Sequence, residues 1–182
     1  MRAVRVGARE AIEEAGFAVL SANPRASLAE IAESAGVGAA TLHRHFASRE
    51  ALIGVLADEG IAALAAAIDA TEAEADATAA LGALLETLIP LGARFMFLER
   101  YPLEDPSIEA RYDAEAARLF ALMERLAAEG VIAADLSPVQ AAGFLEWVCW
   151  GLAESVADGH VARAEAPRLA HRLFTRGAGS TA

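Results

Sequence analysis

The stretch Ser27-Leu-Ala-Glu-Ile-Ala-Glu-Ser-Ala-Gly-Val-Gly-Ala-Ala-Thr-Leu-His-Arg-His-Phe46 decides the fold. Ser27 and Glu30 have capping-box spacing: the serine hydroxyl accepts an early backbone N–H while the glutamate reaches back to the serine N–H. The helix so started is short and runs into Gly36, where a turn needs a positive φ that only glycine adopts without cost. A second short helix follows from about Gly38 to Phe46. Two short helices around a glycine turn have helix-turn-helix spacing. Ala32 is small where the helices would cross, and Ile31, Val37, Leu42 and Phe46 form an apolar underside. Thr41, His43, Arg44 and His45 are left to face outward.

The flanks read as helix throughout, with strand signals nearly absent. Val4, Ala8, Ala11, Ile12, Ala15 and Val19 recur with helical period, and Asn23-Pro24 ends that helix. Ser48 caps a long alanine-rich helix that fades near Asp69, and the polar segment Thr71 to Thr78 reads as a linker. A helix then runs from about Ala79 to Arg100, with a kink expected at Pro90. After the two-proline break Tyr101 to Pro106, Asp105 caps a helix that has Pro106 at its first position and ends at Gly130. Ser137-Pro138-Val139-Gln140 combines an N-cap, a proline at N1 and a capping-box glutamine; its helix fades at Asp158-Gly159. A last helix spans about Glu165 to Arg176 and stops at Gly177. The expectation is an all-α chain of eight or nine helices. It divides into a three-helix helix-turn-helix domain over 1–48, a helical domain over 49–176 and a disordered tail over 177–182.

Composition excludes several classes. A single cysteine among 182 residues forms no internal disulfide, and no Cys/His cluster has zinc-site spacing. The N-terminus has charge but no continuous apolar run of the signal-peptide kind. The longest lightly charged stretch, Gly60 to Ala70, is too short to span a bilayer. A soluble, cytoplasmic protein without membrane contact is expected. All 15 basic residues are arginine, and the formal charge is −11, which argues at first against a nucleic-acid partner. The distribution answers this. Residues 1–50 hold six arginines (2, 5, 9, 25, 44, 49) and six acids, so the rest of the chain carries the whole excess. Few phosphate contacts, and a modest salt dependence, are expected.

The span Ile31 to Phe46, followed by Ala47-Ser-Arg-Glu-Ala-Leu52, resembles the TetR family of bacterial transcriptional repressors. Members of that family typically show Ile-Ala, Ala-Gly-Val, Thr-Leu-Tyr-x-His-Phe and Ser-Lys-Glu-x-Leu in this order. The resemblance covers about residues 5 to 55, and a multi-residue pattern is more specific than one short motif. It implies that the helix begun at Ser27 crosses the DNA backbone and that the helix holding Thr41 to Phe46 lies in the major groove of a double-stranded operator. Thr41, His43 and His45 would touch phosphates or base edges. Arg49 stands where the family usually has a phosphate-contacting lysine, and Arg25 could reach another phosphate. Two positions depart from the pattern: Gly38 replaces the usual Ser or Thr cap, at a cost of a few tenths of a kcal/mol, and Ala39 replaces a larger polar residue. Ala39 and Ala40 offer only methyl contact, which leaves Arg44 as the side chain able to read guanine bidentately. DNA shape would then carry part of the specificity.

The resemblance further implies a small-molecule effector held between helices of the second domain, and a homodimer formed by the last two long helices, Ser137 to Asp158 and Glu165 to Arg176. An effector pocket needs apolar walls with a few polar groups. Arg94, Phe95, Tyr101, Tyr112, Phe120, Met123, Trp147 and Trp150 are the candidates, although aromatics at helical spacing pack as core just as readily. Arg94 could instead pair with Glu146 or Glu154. The composition suits an apolar or aromatic ligand, and no cofactor or metal is expected. The functional expectation is a ligand-responsive repressor released from its operator by a small, mainly apolar effector. The alternative is a helical binding protein whose helix-turn-helix no longer reads DNA, which Ala39 and Ala40 would suit. An enzyme is not expected: the four histidines and one cysteine form no catalytic framework.

Overall fold

The computed structural model describes residues 7–91, 101 and 105–177. Among them are eight helices and no strand: α1 (Ala8–Ala22), α2 (Leu28–Ser34), α3 (Ala39–His45), α4 (Arg49–Glu72), α5 (Ala77–Leu91), α6 (Pro106–Ala128), α7 (Pro138–Ala157) and α8 (Ala166–Gly177). Val4, the tail beyond Gly177 and the far end of the helix expected to reach Arg100 lie outside the described residues.

Local chemistry sets the boundaries. Ser27 Oγ accepts the Glu30 N–H at 3.3 Å, and a Glu30 carboxylate oxygen accepts the Ser27 N–H at 2.7 Å. At the other end of α2, Gly36 has φ 66°. The Val37 N–H returns to the Ala32 carbonyl and the Gly36 N–H to that of Glu33. This is a Schellman ending, which satisfies two orphan carbonyls and turns the chain. Asp105 caps α6 through the Ser107 N–H at 2.8 Å, with Pro106 in its first turn. Ser137 and Gln140 form the second capping box.

The linker between α4 and α5 is shorter than the polarity of Thr71 to Thr78 suggested. The Thr71 hydroxyl donates to the Ile68 carbonyl at 2.7 Å inside α4, and the Asp76 carboxylate accepts the Ala79 N–H at 2.8 Å. Both polar groups thus serve helix ends. Helix α4 is also longer than its lightly charged middle, and by length and composition alone it could cross a membrane. Its apolar surface is instead applied to α1, α5 and α6.

Two large apolar clusters divide the described residues along α4, with a small third of Ala57 and Ile61. Ile12, Phe17 and Leu20 of α1, Ile31 of α2 and Leu42 of α3 join Phe46, Leu52, Leu56 and Tyr101 in the first. Leu64, Ala67 and Ile68 begin the second, which α5, α6, α7 and α8 complete. Helix α1 approaches α4 closely at Gly16, where a Cβ would lie 3.1 Å from Leu56 Cδ1. Outside the cores, Arg118 of α6 donates to Asp69 and Glu72 of α4, each at 2.6 Å, and to Glu115 at 2.8 Å. Three carboxylates around it raise its affinity for its proton, led by Asp69.

Candidate nucleic-acid interface and effector region

Leu42 anchors α3: it is the buried residue of that helix, at 1% exposure. Helical geometry then places Ala40 and Arg44, four residues apart, opposite the core, with Thr41 and His43 on their flanks. Arg25, Ser27, Gly38, Ala39, Ala40, His43, Arg44 and His45 are exposed, and Thr41 is half-buried. The Arg44 guanidinium donates to Thr41 Oγ1 at 3.0 Å. The exposed ridge therefore holds one oriented guanidinium above a methyl group. Ala40 belongs to that ridge by its register. Gly38 caps α3 with extended backbone and no side-chain bond.

Arg49 has internal work. Its Nε donates to the Ala26 carbonyl at 3.0 Å, and an Nη donates to the Pro24 carbonyl. The guanidinium carbon lies 5.8 Å from the centre of the Tyr101 ring. Arg49 thus ties the α1–α2 connection to the start of α4, and any phosphate contact would use what remains of its donors. These partners lie 23 and 25 residues upstream, so only the tertiary fold brings them together. Arg9 is likewise engaged, with Glu13 at 2.8 Å and over the Phe46 ring at 5.2 Å.

Among the described residues, the side chains expected around one effector do not converge. Arg94 and Phe95 lie outside the described residues. Met123 is 1% exposed inside the second core, and Phe120 packs against that core half-buried. Tyr112 packs on Ala57 and Ile61. Tyr101 is buried in the first cluster, and its hydroxyl donates to the Leu20 carbonyl at 2.9 Å. Trp147 and Trp150 are surface residues of α7, 64% and 39% exposed, with their rings edge to face at 5.2 Å. Helix α7 is apolar nearly all round, and its inward stripe is taken by Ala141, Ala142, Leu145, Cys149 and Leu152. Phe144 and the two tryptophans are left on the outer side, with Leu173 of α8 also exposed. Cys149 sits in the inward stripe, where burial, reinforced by the Glu146 charge, pushes its thiol up to about 12.

A cavity of about 890 Å³ lies elsewhere. It opens where α1, the first half of α4, Tyr101 and the start of α6 meet. A smaller one of about 190 Å³ lies beside Pro90, between α5 and the end of α7. Among the described residues, no group of three or more His, Cys, Asp or Glu could hold a metal ion.

Residues 5–56 match the family model for bacterial regulatory proteins of the tetR family. The chain is 32% identical over 162 residues to the HTH-type transcriptional repressor LfrR of Mycolicibacterium smegmatis, a match covering 84% of this chain and 80% of that one. The chain belongs to the TetR family. A second TetR-family match, 30% identical over 164 residues, is the HTH-type transcriptional regulator NfxB of Pseudomonas aeruginosa, covering 87% of this chain and 88% of the relative. In three dimensions the chain resembles the crystal structure of LfrR from Mycobacterium smegmatis in complex with proflavine, with a TM-score of 0.72, 27% identity and coverage of 96% and 97%. The all-α fold is therefore that of a TetR-like regulator, and the chain is a DNA-binding transcriptional regulator of that family.

Proposed function

We propose that the chain is a repressor that binds operator DNA as a homodimer and leaves it when a small, mainly apolar effector binds. The observation that carries the reading is the exposed ridge of α3, with Arg44 held by Thr41, on a chain whose relative LfrR is a repressor. In this reading α3 enters the major groove, Arg44 reads a base edge, and Thr41, His43 and His45 touch neighbouring base edges or phosphates. Arg25 and the exposed start of α2 meet the backbone, where phosphate contacts set the register.

Two recognition helices about one helical turn of DNA apart need a two-fold dimer. The outer sides of α7 and α8 suit that role: Phe144, Trp147, Trp150 and Leu173 are large, apolar and exposed, and large exposed apolar patches mark interaction surfaces. The effector acts by binding more tightly to the arrangement in which the two α3 helices are wrongly spaced. Such a regulator works where the chromosome is, in the cytoplasm. The purified chain, titrated onto the DNA upstream of its own gene, tests the proposal: a salt-sensitive shift with two chains per site supports it, and no shift removes it.

A further inference from the structure

The 890 Å³ cavity at the meeting of α1, α4 and α6 has a size suited to a drug-sized molecule. Its apolar wall is Ile53, Val55, Ala57 and Ile108. Gly54 keeps it open: a Cβ there would reach Ile108 Cδ1 only at 3.8 Å, so a longer side chain would grow into the space. Glu50, Asp58, Glu59 and Asp105 stand around it. The two arginines of the lining are already engaged, Arg9 with Glu13 and Arg49 with the Pro24 and Ala26 carbonyls. Asp58 is paired with Arg111 across the surface. The lining is thus apolar below and carboxylate-rich around, and the Tyr101 ring in its wall already receives one cation, the Arg49 guanidinium.

We propose that this cavity binds an amphipathic organic cation with an apolar body, and that its occupancy acts on α1 and the helix-turn-helix through Tyr101. The inference rests on the regulator reading above and specifies where and what the effector is. The cationic group would be met by carboxylates and the body by the apolar wall, with aromatic faces attractive to cations. Tyr101 precedes α6, yet its hydroxyl holds the Leu20 carbonyl in the last turn of α1, and α1 packs on α2 and α3. Tyr101 and Arg49 are therefore shared between the cavity wall and the support of the DNA-reading helices. A ligand that fits better when this contact has shifted favours that arrangement over the DNA-bound one.

The test uses the intact protein, with proflavine as a fluorescent planar cation and anthracene-2-sulfonate as a planar anion. Proflavine is expected to bind the DNA-free protein and to release DNA from the wild-type protein at concentrations at which Gly54→Leu stays bound, which separates effector action from intercalation into the DNA; the anion should bind at least about tenfold more weakly. Gly54→Leu, which fills the cavity, and the double change Asp58→Asn with Glu59→Gln, which removes charge, should each weaken proflavine by about tenfold or more. Both should keep DNA affinity in its absence within about threefold, with unchanged circular dichroism reporting folding. Tyr101→Phe keeps the ring and loses the Leu20 bond. It should bind proflavine normally while the ratio of DNA affinities without and with proflavine falls by about threefold or more. Failure of the wild-type protein to bind proflavine, or equal binding of cation and anion, overturns the ligand class. Binding unaltered by both cavity variants overturns the site; salt-sensitive DNA binding by the ligand-free wild-type protein keeps the regulator reading in that case. No DNA binding by the wild-type protein fails the regulator reading itself.

Discussion

Arg44 is held by Thr41: its guanidinium donates to the threonine hydroxyl at 3.0 Å on the exposed side of α3. The bond favours one orientation of the long side chain on a ridge otherwise made of Ala40. Arg44→Ala should cost about 1–3 kcal/mol of operator affinity and relax specificity at one base pair. Thr41→Val, which keeps the shape and loses the hydroxyl, should cost less. Anisotropy titrations against a set of single-base operator variants measure both. Equal losses on all sequences would make Arg44 a phosphate contact.

Trp147 and Phe144 test the dimer. Both are more than half exposed on α7, so a monomer would tolerate charge there. Trp147→Glu should convert the dimer to a folded monomer in light scattering, and operator affinity should fall by about a hundredfold or more because two half-sites are no longer bound together. A Trp147→Glu protein that remains dimeric moves the interface elsewhere.

Cys149 should be chemically quiet. Burial and the Glu146 charge hold its thiol at about 12, and the thiolate is the reactive form. At pH 8 a disulfide reagent should label the native protein at least about a hundredfold more slowly than the urea-unfolded protein. Rapid labelling in the native state would place Cys149 at the surface.

Glu129 joins two helices. Its carboxylate accepts the Ala77 N–H at 2.8 Å at the start of α5 and pairs with Arg125 of α6 at 3.0 Å. The Ala77 N–H first, and the Arg125 contact second, lower its pKa from the ordinary 4.5. A carboxylate lowered in the folded state contributes stability that is full above its unfolded pKa and is lost as the pH falls through its folded one. Glu129→Gln should therefore melt below the wild-type protein at pH 7, and the two melting temperatures should converge on acidification below about pH 4.5. A constant gap down to pH 3 would contradict the carboxylate's role. Glu30, lowered chiefly by the Ser27 N–H, should behave alike.

The elements governed by neighbours in sequence are legible in the sequence alone. Ser27 with Glu30, Gly36, Asp105 with Pro106, and Ser137 with Gln140 each obey a rule spanning a few residues, and each appears where expected. The fold class and the outward side of α3 follow from these and from helical period. What could not be read is where distant surfaces meet. Helix α7 is apolar almost all round, so its period could not say that Leu145 and Cys149 face the core and Trp147 faces outward. The bonds from Arg49 to the Ala26 and Pro24 carbonyls span 23 and 25 residues, so they carry no local signal. The bond from the Tyr101 hydroxyl to the Leu20 carbonyl spans 81 residues, so no local pattern signals that this ring also ties down α1. Gly16 gave no signal of its own, since its smallness matters only against Leu56 of α4.

The most direct test of the account is quantitative binding of the intact protein to its upstream DNA, with wild-type and Arg44→Ala proteins compared over a range of salt. The account predicts two chains per site, affinity that falls as salt rises, and a loss of about tenfold or more for Arg44→Ala on the operator with little loss on unrelated DNA. Absence of binding by the wild-type protein, or equal affinity of the two proteins for the operator, would contradict it.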